Sequence, residues 1–353
     1  MDTAVAWIGF IGFVLLMVAL DLGVFHRRPH AIGFREALGW SAIWLAMGLS
    51  FAVIVFHAYD QQWWGLGVAV DPVDGMVNSG KTAAHKYLTG YVVEKSLSVD
   101  NIFVIAMIFS GLAVPAASQH RVLLWGILGA IAMRGVMIVA GARLIAEFHW
   151  LLGLFAAFLI ATGVKMLVAR HEPADPTDNR FVRWIRRWLP VSDRFHGQRF
   201  IVPRGAASGH SGGLMFTPLA LALLLVEASD LVFAVDSIPA VFAITGDPFL
   251  VFTSNVFAIL GLRSLYFALA GMVNTFRYLK PALAIVLIVV GGKMLAAEAI
   301  KHRLGEQANL FLLGLIVAIL AGGVIASVVS DRLAAARAMA SGRPDPTSLT
   351  PPA

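Results

Sequence analysis

Apolar runs long enough to cross a bilayer, about 20 residues each, fall at nine places along the chain: 4–25, 38–58, 87–110, 121–145, 149–169, 214–244, 249–273, 281–301 and 307–330. They predict an all-α polytopic membrane protein with a transmembrane domain over residues 1–330. The long polar interruption is 170–213. There Arg183, Arg186 and Arg187 alternate with Trp184, Ile185 and Trp188, the pattern of a short amphipathic segment on the membrane surface or of a solvated linker. The end of the chain, 331–353, closes on "SGRPDPTSLTPPA" and reads as a disordered cytoplasmic tail.

One predicted span breaks the apolar pattern. "LTGYVVEKSLSVDNIFVIAMIFSG" (88–111) carries Glu94, Lys95, Asp100 and Asn101 inside an otherwise lipid-compatible helix. Composition strengthens the membrane reading: 59% of residues are hydrophobic and only 14% charged, too little charge to solvate a soluble domain of 353 residues. Cysteine is absent, which removes disulfides and thiolate ligands. The net charge of +6 comes with arginines clustered in loops, which points to membrane orientation and not to nucleic acid. The N-terminus has no basic n-region, so residues 4–25 read as a retained span.

With nine spans, Arg27, Arg28 and Arg35, the eight arginines from Arg170 to Arg204, Arg277 with Lys280, and Arg332, Arg337 and Arg343 all fall on one side. That side is expected to be cytoplasmic in a bacterial inner membrane, with the N-terminus outside and the C-terminus inside. The segment 59–86, with Asp60, Asp71 and Asp74, then falls outside.

The spans also repeat. "LIATGVKMLVA" (159–169) matches "LIVVGGKMLAA" (287–297), setting Lys165 opposite Lys293 at an offset of 128. Arg134 matches Arg263 at an offset of 129, and Asp100 matches Asp230 at 130. Three successive helices repeating in order must enter the membrane from opposite sides. The expectation is an inverted pair of three-helix units, about 87–169 and 214–301, with the substrate site near the midplane where they meet.

The lead helices of both units carry the acids: Glu94 and Asp100 with Ser98 and Asn101 in the first, Glu227, Asp230 and Asp236 in the second. A carboxylate at mid-bilayer costs at least ~2.5 kcal/mol, so these groups must face protein or a wet cavity and meet cations or protons there. Carboxylates, an amide and hydroxyls are ligands for a hard divalent cation. Lys95, Arg134, Lys165, Arg263 and Lys293 are candidate counter-ions, which equally suits buried ion pairs that lock helices together. Asp21, at the end of the first span, is a candidate for either role, with Arg27 or Arg28 as partner. The six-residue spacings Glu94–Asp100 and Asp230–Asp236 lie ~120° off a common helix face. All five acids converge only if the helices unwind or the cavity is wide, and Pro239 is the residue that would permit unwinding.

At these residues the chain resembles the TerC family of bacterial integral membrane proteins, whose members include the Alx proteins. The matching stretches are "ALDLGVFHRRPHAIGFREALGWSAIW", "EKSLSVDNIFVIAMIF" and "EASDLVFAVDSIPAVFAITGDPFLVFTSNVFAILGLRSLYF". The resemblance implies a LysE-like transporter, associated with tellurite resistance by name and with manganese(II) export by function. It implies Glu94, Asp100, Glu227, Asp230 and Asp236 as the metal pathway, to which the ligand chemistry above adds Asn101. An acid-lined site should repel a tellurite oxyanion.

Two functions follow as expectations. One is an exporter of divalent cations, foremost Mn²⁺, working by alternating access with proton exchange, the metal being cargo and no cofactor being required. The other is a non-transporting membrane scaffold docking partners through 170–213. An enzyme is not expected, since neither a zinc-protease HExxH nor a phosphate-binding GxxxxGK[ST] stretch occurs.

Overall fold

A computed structural model describes residues 2–23, 33–168, 190–192, 194–203, 213–269, 278–297 and 307–340. Its helices are α1 (Asp2–Gly23), α2 (Phe34–Asp60), α3 (Gly80–Gly111), α4 (Ala116–Glu147), α5 (Trp150–Val168), α6 (Pro218–Phe242), α7 (Pro248–Leu260), α8 (Leu262–Leu269), α9 (Leu279–Leu295) and α10 (Gln307–Ala340). Two hairpins join them, β1 (Val70–Asp71) with β2 (Met76–Val77), and β3 (Ile201–Pro203) with β4 (Leu214–Phe216), both antiparallel.

The described residues of the nine apolar runs are mostly helical, with β4 opening the run at 214 and the run at 249 divided between α7 and α8. Seven of the described spans are long and apolar enough to cross a membrane, α7 and α8 together forming one. The other two depart for visible reasons: α3 carries Lys81, Lys86, Glu94, Lys95 and Asp100, and the described part of α9 has 17 residues. Polar starts and stops are written locally. The Ser79 side chain caps α3 by accepting from Thr82 N. Thr217 and Asp247 cap α6 and α7, each followed by proline at the first helical position.

The layers follow from burial. α7 is buried at every position from Phe249 to Leu260, surrounded by α3, α4 and α2. A helix apolar on all sides belongs in such a core. Helices α1, α2, α5 and α10 keep large apolar side chains outward, among them Ile8, Leu15, Val53, Val164 and Phe311, as a lipid-facing rim requires.

Helices α5 and α9 approach most closely, and glycine permits it. A Cβ on Gly163 would meet the Ala284 carbonyl oxygen at 2.7 Å and Ile288 Cγ1 at 2.7 Å. A Cβ on Gly291 would meet the Ala156 oxygen at 2.9 Å and Ile160 Cγ1 at 2.9 Å. Gly163 and Gly291, Ala156 and Ala284, Ile160 and Ile288 are each 128 positions apart. The same relation exchanges two other contacts, α3 with α7 and α6 with α4.

Three expectations need correction or limits. Residues 331–340 do not begin a tail: α10 runs on to Ala340, because "DRLAAARAMA" consists largely of strong helix formers. Pro239 does not unwind α6, which stays helical to Phe242, since a proline this near the C-terminal end breaks little of the ladder. The interruption falls instead at Gly261, between α7 and α8. The amphipathic segment at 183–188, the tail beyond 340, and the Asp21 side chain with Arg27 and Arg28 lie outside the described residues.

Candidate functional site

The polar centre of the bundle is built around Arg134 of α4, which is 3% exposed. Its Nε and Nη2 donate to the two oxygens of Asp230 on α6, at 3.1 and 2.8 Å. Its Nη1 donates to Glu94 of α3 and, at 2.6 Å, to Asn255 Oδ1 of α7. Asn255 Nδ2 returns to the other Glu94 oxygen at 3.3 Å, and Asn101 Nδ2 of α3 donates to Asp230 Oδ1 at 3.1 Å. All five side chains are buried. The fork of arginine suits this bidentate pairing, and charge-assisted bonds are what make so much buried charge tolerable. Two carboxyl groups thus face one guanidinium.

Beside it lies a cavity of about 20 Å³, lined by Ser98, Asn101, Ile127, Arg134, Asp230 and Ile259 among others. That is room for about one water or a bare ion. Asn101 lines this cavity, and its side-chain oxygen Oδ1 is buried with no hydrogen-bond partner among the described residues, while its Nδ2 donates to Asp230. An orphaned acceptor next to a carboxylate calls for a cation or a donor.

The expected metal set is therefore only partly assembled. Glu94, Asn101 and Asp230 meet, with Arg134 between the acids. Asp100 and Asp236 are half-buried, each ~120° around its helix from Glu94 and Asp230, while Glu227 is half-buried one turn from Asp230 on the same face of α6. Both helices stay regular through these positions, so the angular offset of the six-residue spacing persists. Among the described residues no three His, Cys, Asp or Glu side chains gather closely enough to hold a metal. The Glu227 carboxylate rests over Gly129, where a Cβ would collide with it. The charged neighbour of Asp236 is Lys165.

The expected counter-ions also separate. Arg134 sits at the centre. Lys95 Nζ donates to the Ala258 carbonyl at 3.1 Å, close over the Gly261 interruption. Arg263 contacts His120 Nδ1 at 3.3 Å, and the Ser98 hydroxyl bonds back to the Glu94 carbonyl. Lys293 reaches the Ala243 carbonyl at 3.4 Å, at the end of the bundle that holds Asp71.

That end holds a second cluster, drawn from the segment 59–86, whose charges the sequence alone does not bring together. Lys86 of α3 is fully buried between Asp71 at 2.8 Å and Asp74 at 2.7 Å, and also reaches Asn78 Oδ1 at 2.6 Å. Asp71 accepts from the Thr245 hydroxyl at 2.5 Å and from Gly246 N at 2.8 Å, so the β1–β2 hairpin is tied to the α6–α7 turn. Asp247, the α7 cap, accepts from Tyr59 of α2 at 2.8 Å. Burial by itself would raise the Asp71 carboxyl, but Lys86 and Thr245 outweigh it and hold it below the ordinary value. Burial, with Asp71 nearby, pushes Asp247 above its ordinary value against the bond from Tyr59. A cavity of about 280 Å³ adjoins, lined by Trp7, Leu66, Asp71, Asn78, Asp247 and Phe249 among others. The sequence carries only a weak signal for it: Asp-Pro occurs at 71–72 and 247–248, but also at 175–176 and 345–346. Asn255 was missed as well; its signal is the polar run Thr253, Ser254 and Asn255 inside an apolar span.

Residues 79–334 match the model of the integral membrane protein TerC family. The chain is 47% identical over 326 residues to an uncharacterized membrane protein of Myxococcus xanthus, covering 92% of each. It is 46% identical over 297 residues to the Escherichia coli (strain K12) protein named "Putative membrane-bound redox modulator Alx", covering 84% of this chain and 87% of that one. It is 38% identical over 328 residues to a membrane protein of Rickettsia bellii, covering 93% and 98%. No solved structure matches. A polar centre of two carboxyl groups around one guanidinium, carried by a bundle of lipid-compatible helices, thus belongs to a chain that is a member of the TerC family of integral membrane proteins.

Proposed function

We propose that the chain exports divalent cations, with Mn²⁺ as foremost cargo, across a bacterial inner membrane. The observation that carries this reading is the orphaned Asn101 oxygen beside Asp230, at a cavity of ion size within the bundle. Oxygen donors of this kind suit a hard cation, and histidine is absent from the cluster. The four helices that build it come two from each repeated unit, which supports alternating access by rocking one unit against the other. The two-fold contact of Gly163 and Gly291 supports the inverted repeat itself. The half-buried acids Asp100, Glu227 and Asp236 are the candidates for proton exchange. In this reading the cluster of Asp71, Lys86 and Thr245 closes the outer end, with the N-terminus outside and the C-terminus in the cytoplasm. The Escherichia coli relative is named a redox modulator; thiol–disulfide exchange has no residues here, because the chain lacks cysteine.

A scaffold with no transport is the second reading, and Arg134 favours it: a guanidinium saturating two carboxylates is also what a structural lock looks like. Asn101→Ala separates the two, because it removes the orphaned acceptor and leaves Arg134 on both acids. Cells loaded with manganese are assayed for metal content beside membrane abundance of the protein. Export predicts normal abundance with manganese retained in the cell. Normal abundance with full export by the variant refutes the site, and wild-type protein that never lowers cell manganese refutes the function.

A further inference from the structure

The bonds of Arg134 divide into two sets. Nε and Nη2 hold Asp230, the carboxylate that lines the ion-sized cavity. Nη1 holds Glu94 and Asn255, away from it in the bonding pattern. Arg134 itself also lines the cavity. A divalent cation seated on Asn101 Oδ1 and Asp230 would lie beside a guanidinium of like charge, with both claiming one carboxylate. From this we infer that Arg134 is a tethered counter-cation that competes with the cargo for Asp230, a specificity and positioning residue of the proposed carrier. The inference rests on the export reading.

The chemistry follows from charge. In the empty carrier Arg134 neutralises Asp230 and shares Glu94, so the bundle holds no bare pair of carboxylates in low dielectric. When the cation arrives, Asp230 turns to it, and Arg134 stays anchored through Nη1 on Glu94 and Asn255. When the cation leaves, the guanidinium recaptures Asp230. The empty carrier can therefore reorient with Asp230 neutralised by a side chain and needs no proton there. A weakly held monovalent ion cannot displace a bidentate arginine, whereas a divalent one brings twice the charge, so the tether also filters against monovalent cations. Asn255 gains a role as the anchor that keeps Arg134 near the site when Asp230 is occupied.

The test uses the full-length purified protein, wild type, Arg134→Gln and Arg134→Lys, with Mn²⁺ alone as probe. Binding is measured by equilibrium dialysis in detergent, and proteoliposomes report two fluxes: net Mn²⁺ movement, and Mn²⁺-for-Mn²⁺ exchange. A competitor held on the site reduces apparent affinity by the fraction of sites left open, so Arg134→Gln should bind Mn²⁺ about tenfold more tightly or better. It should keep exchange, which uses the loaded carrier alone, and lose net flux, which needs the empty carrier to return. Arg134→Lys keeps the charge but not the fork; it should bind more tightly than wild type and retain net flux. It also covers the case in which Arg134→Gln does not fold. Weaker binding in the lysine variant, or equal loss of exchange and net flux in a folded glutamine variant, overturns the inference. Wild-type protein that neither binds nor moves Mn²⁺ overturns the export reading instead.

Discussion

Replacing Gly163 by alanine tests the α5–α9 contact and its two-fold character together. The added Cβ would stand 2.7 Å from a backbone oxygen and 2.7 Å from Ile288 Cγ1. Carbon and oxygen settle at about 3.3–3.6 Å, so the helices must part by roughly 0.6 Å or more. Neither partner is the free end of a flexible chain, and forcing one carbon into such a contact costs about 1–3 kcal/mol. Alanine also returns up to ~1 kcal/mol of helix propensity. The controls are Gly153→Ala on α5 and Gly292→Ala on α9, where nothing lies within 4 Å of the new Cβ. They gain the propensity and meet no clash, so Gly163→Ala should be about 1–3 kcal/mol less stable than Gly153→Ala. Gly291→Ala should match it in sign and size relative to Gly292→Ala. The double variant should cost less than the sum, by ~0.5 kcal/mol or more, because the first substitution already separates the helices. Unfolding of the purified protein in mixed micelles, followed by tryptophan fluorescence, gives these differences. Equal stability of the 163 and 153 variants would refute the packing argument, and opposite signs at 163 and 291 would refute the two-fold relation.

Two further outcomes follow from the Asp71–Lys86 cluster and the proposed orientation. Asp71, held below its ordinary value of 3.8, contributes stability above that pH that is lost as pH falls through its folded value. Asp247, raised above 3.8, has the opposite sign: its contribution is present at low pH and lost as pH climbs. The advantage of wild type over Asp71→Asn should therefore be in place above about pH 5 and shrink as pH falls below 3.8, while that over Asp247→Asn shrinks as pH rises from 3.8. Parallel melting curves for the two variants across that range would refute the assignment. A reporter fused after Arg187 should read cytoplasmic and one inserted near Asp71 should read external; the same side for both sinks the orientation and the inverted repeat.

The chain itself settles which runs are helical and lipid-compatible. Run length fixes the spans, Ser79, Thr217 and Asp247 fix three starts, and the cost of carboxylates in lipid marks α3 and α6 as the helices with buried chemistry. These are local properties, decided by neighbours one turn apart. The sequence also placed Arg134 among the counter-ions and found the Gly-x-Lys repeat whose glycines seat α5 on α9. It did not reveal which charges meet. Each residue advances ~100° around its helix, so the rotation and approach of four separate helices decide that Asp230 faces Arg134 while Asp236, six positions on, does not. Asn255 looks like one amide in an apolar run until α7 is packed at the centre. Asp71 and Lys86 look like solvated loop charges until the β1–β2 hairpin folds onto the α6–α7 turn and excludes water from both. Long-range geometry converts residue types that the sequence displays into partners that only the tertiary structure can assign.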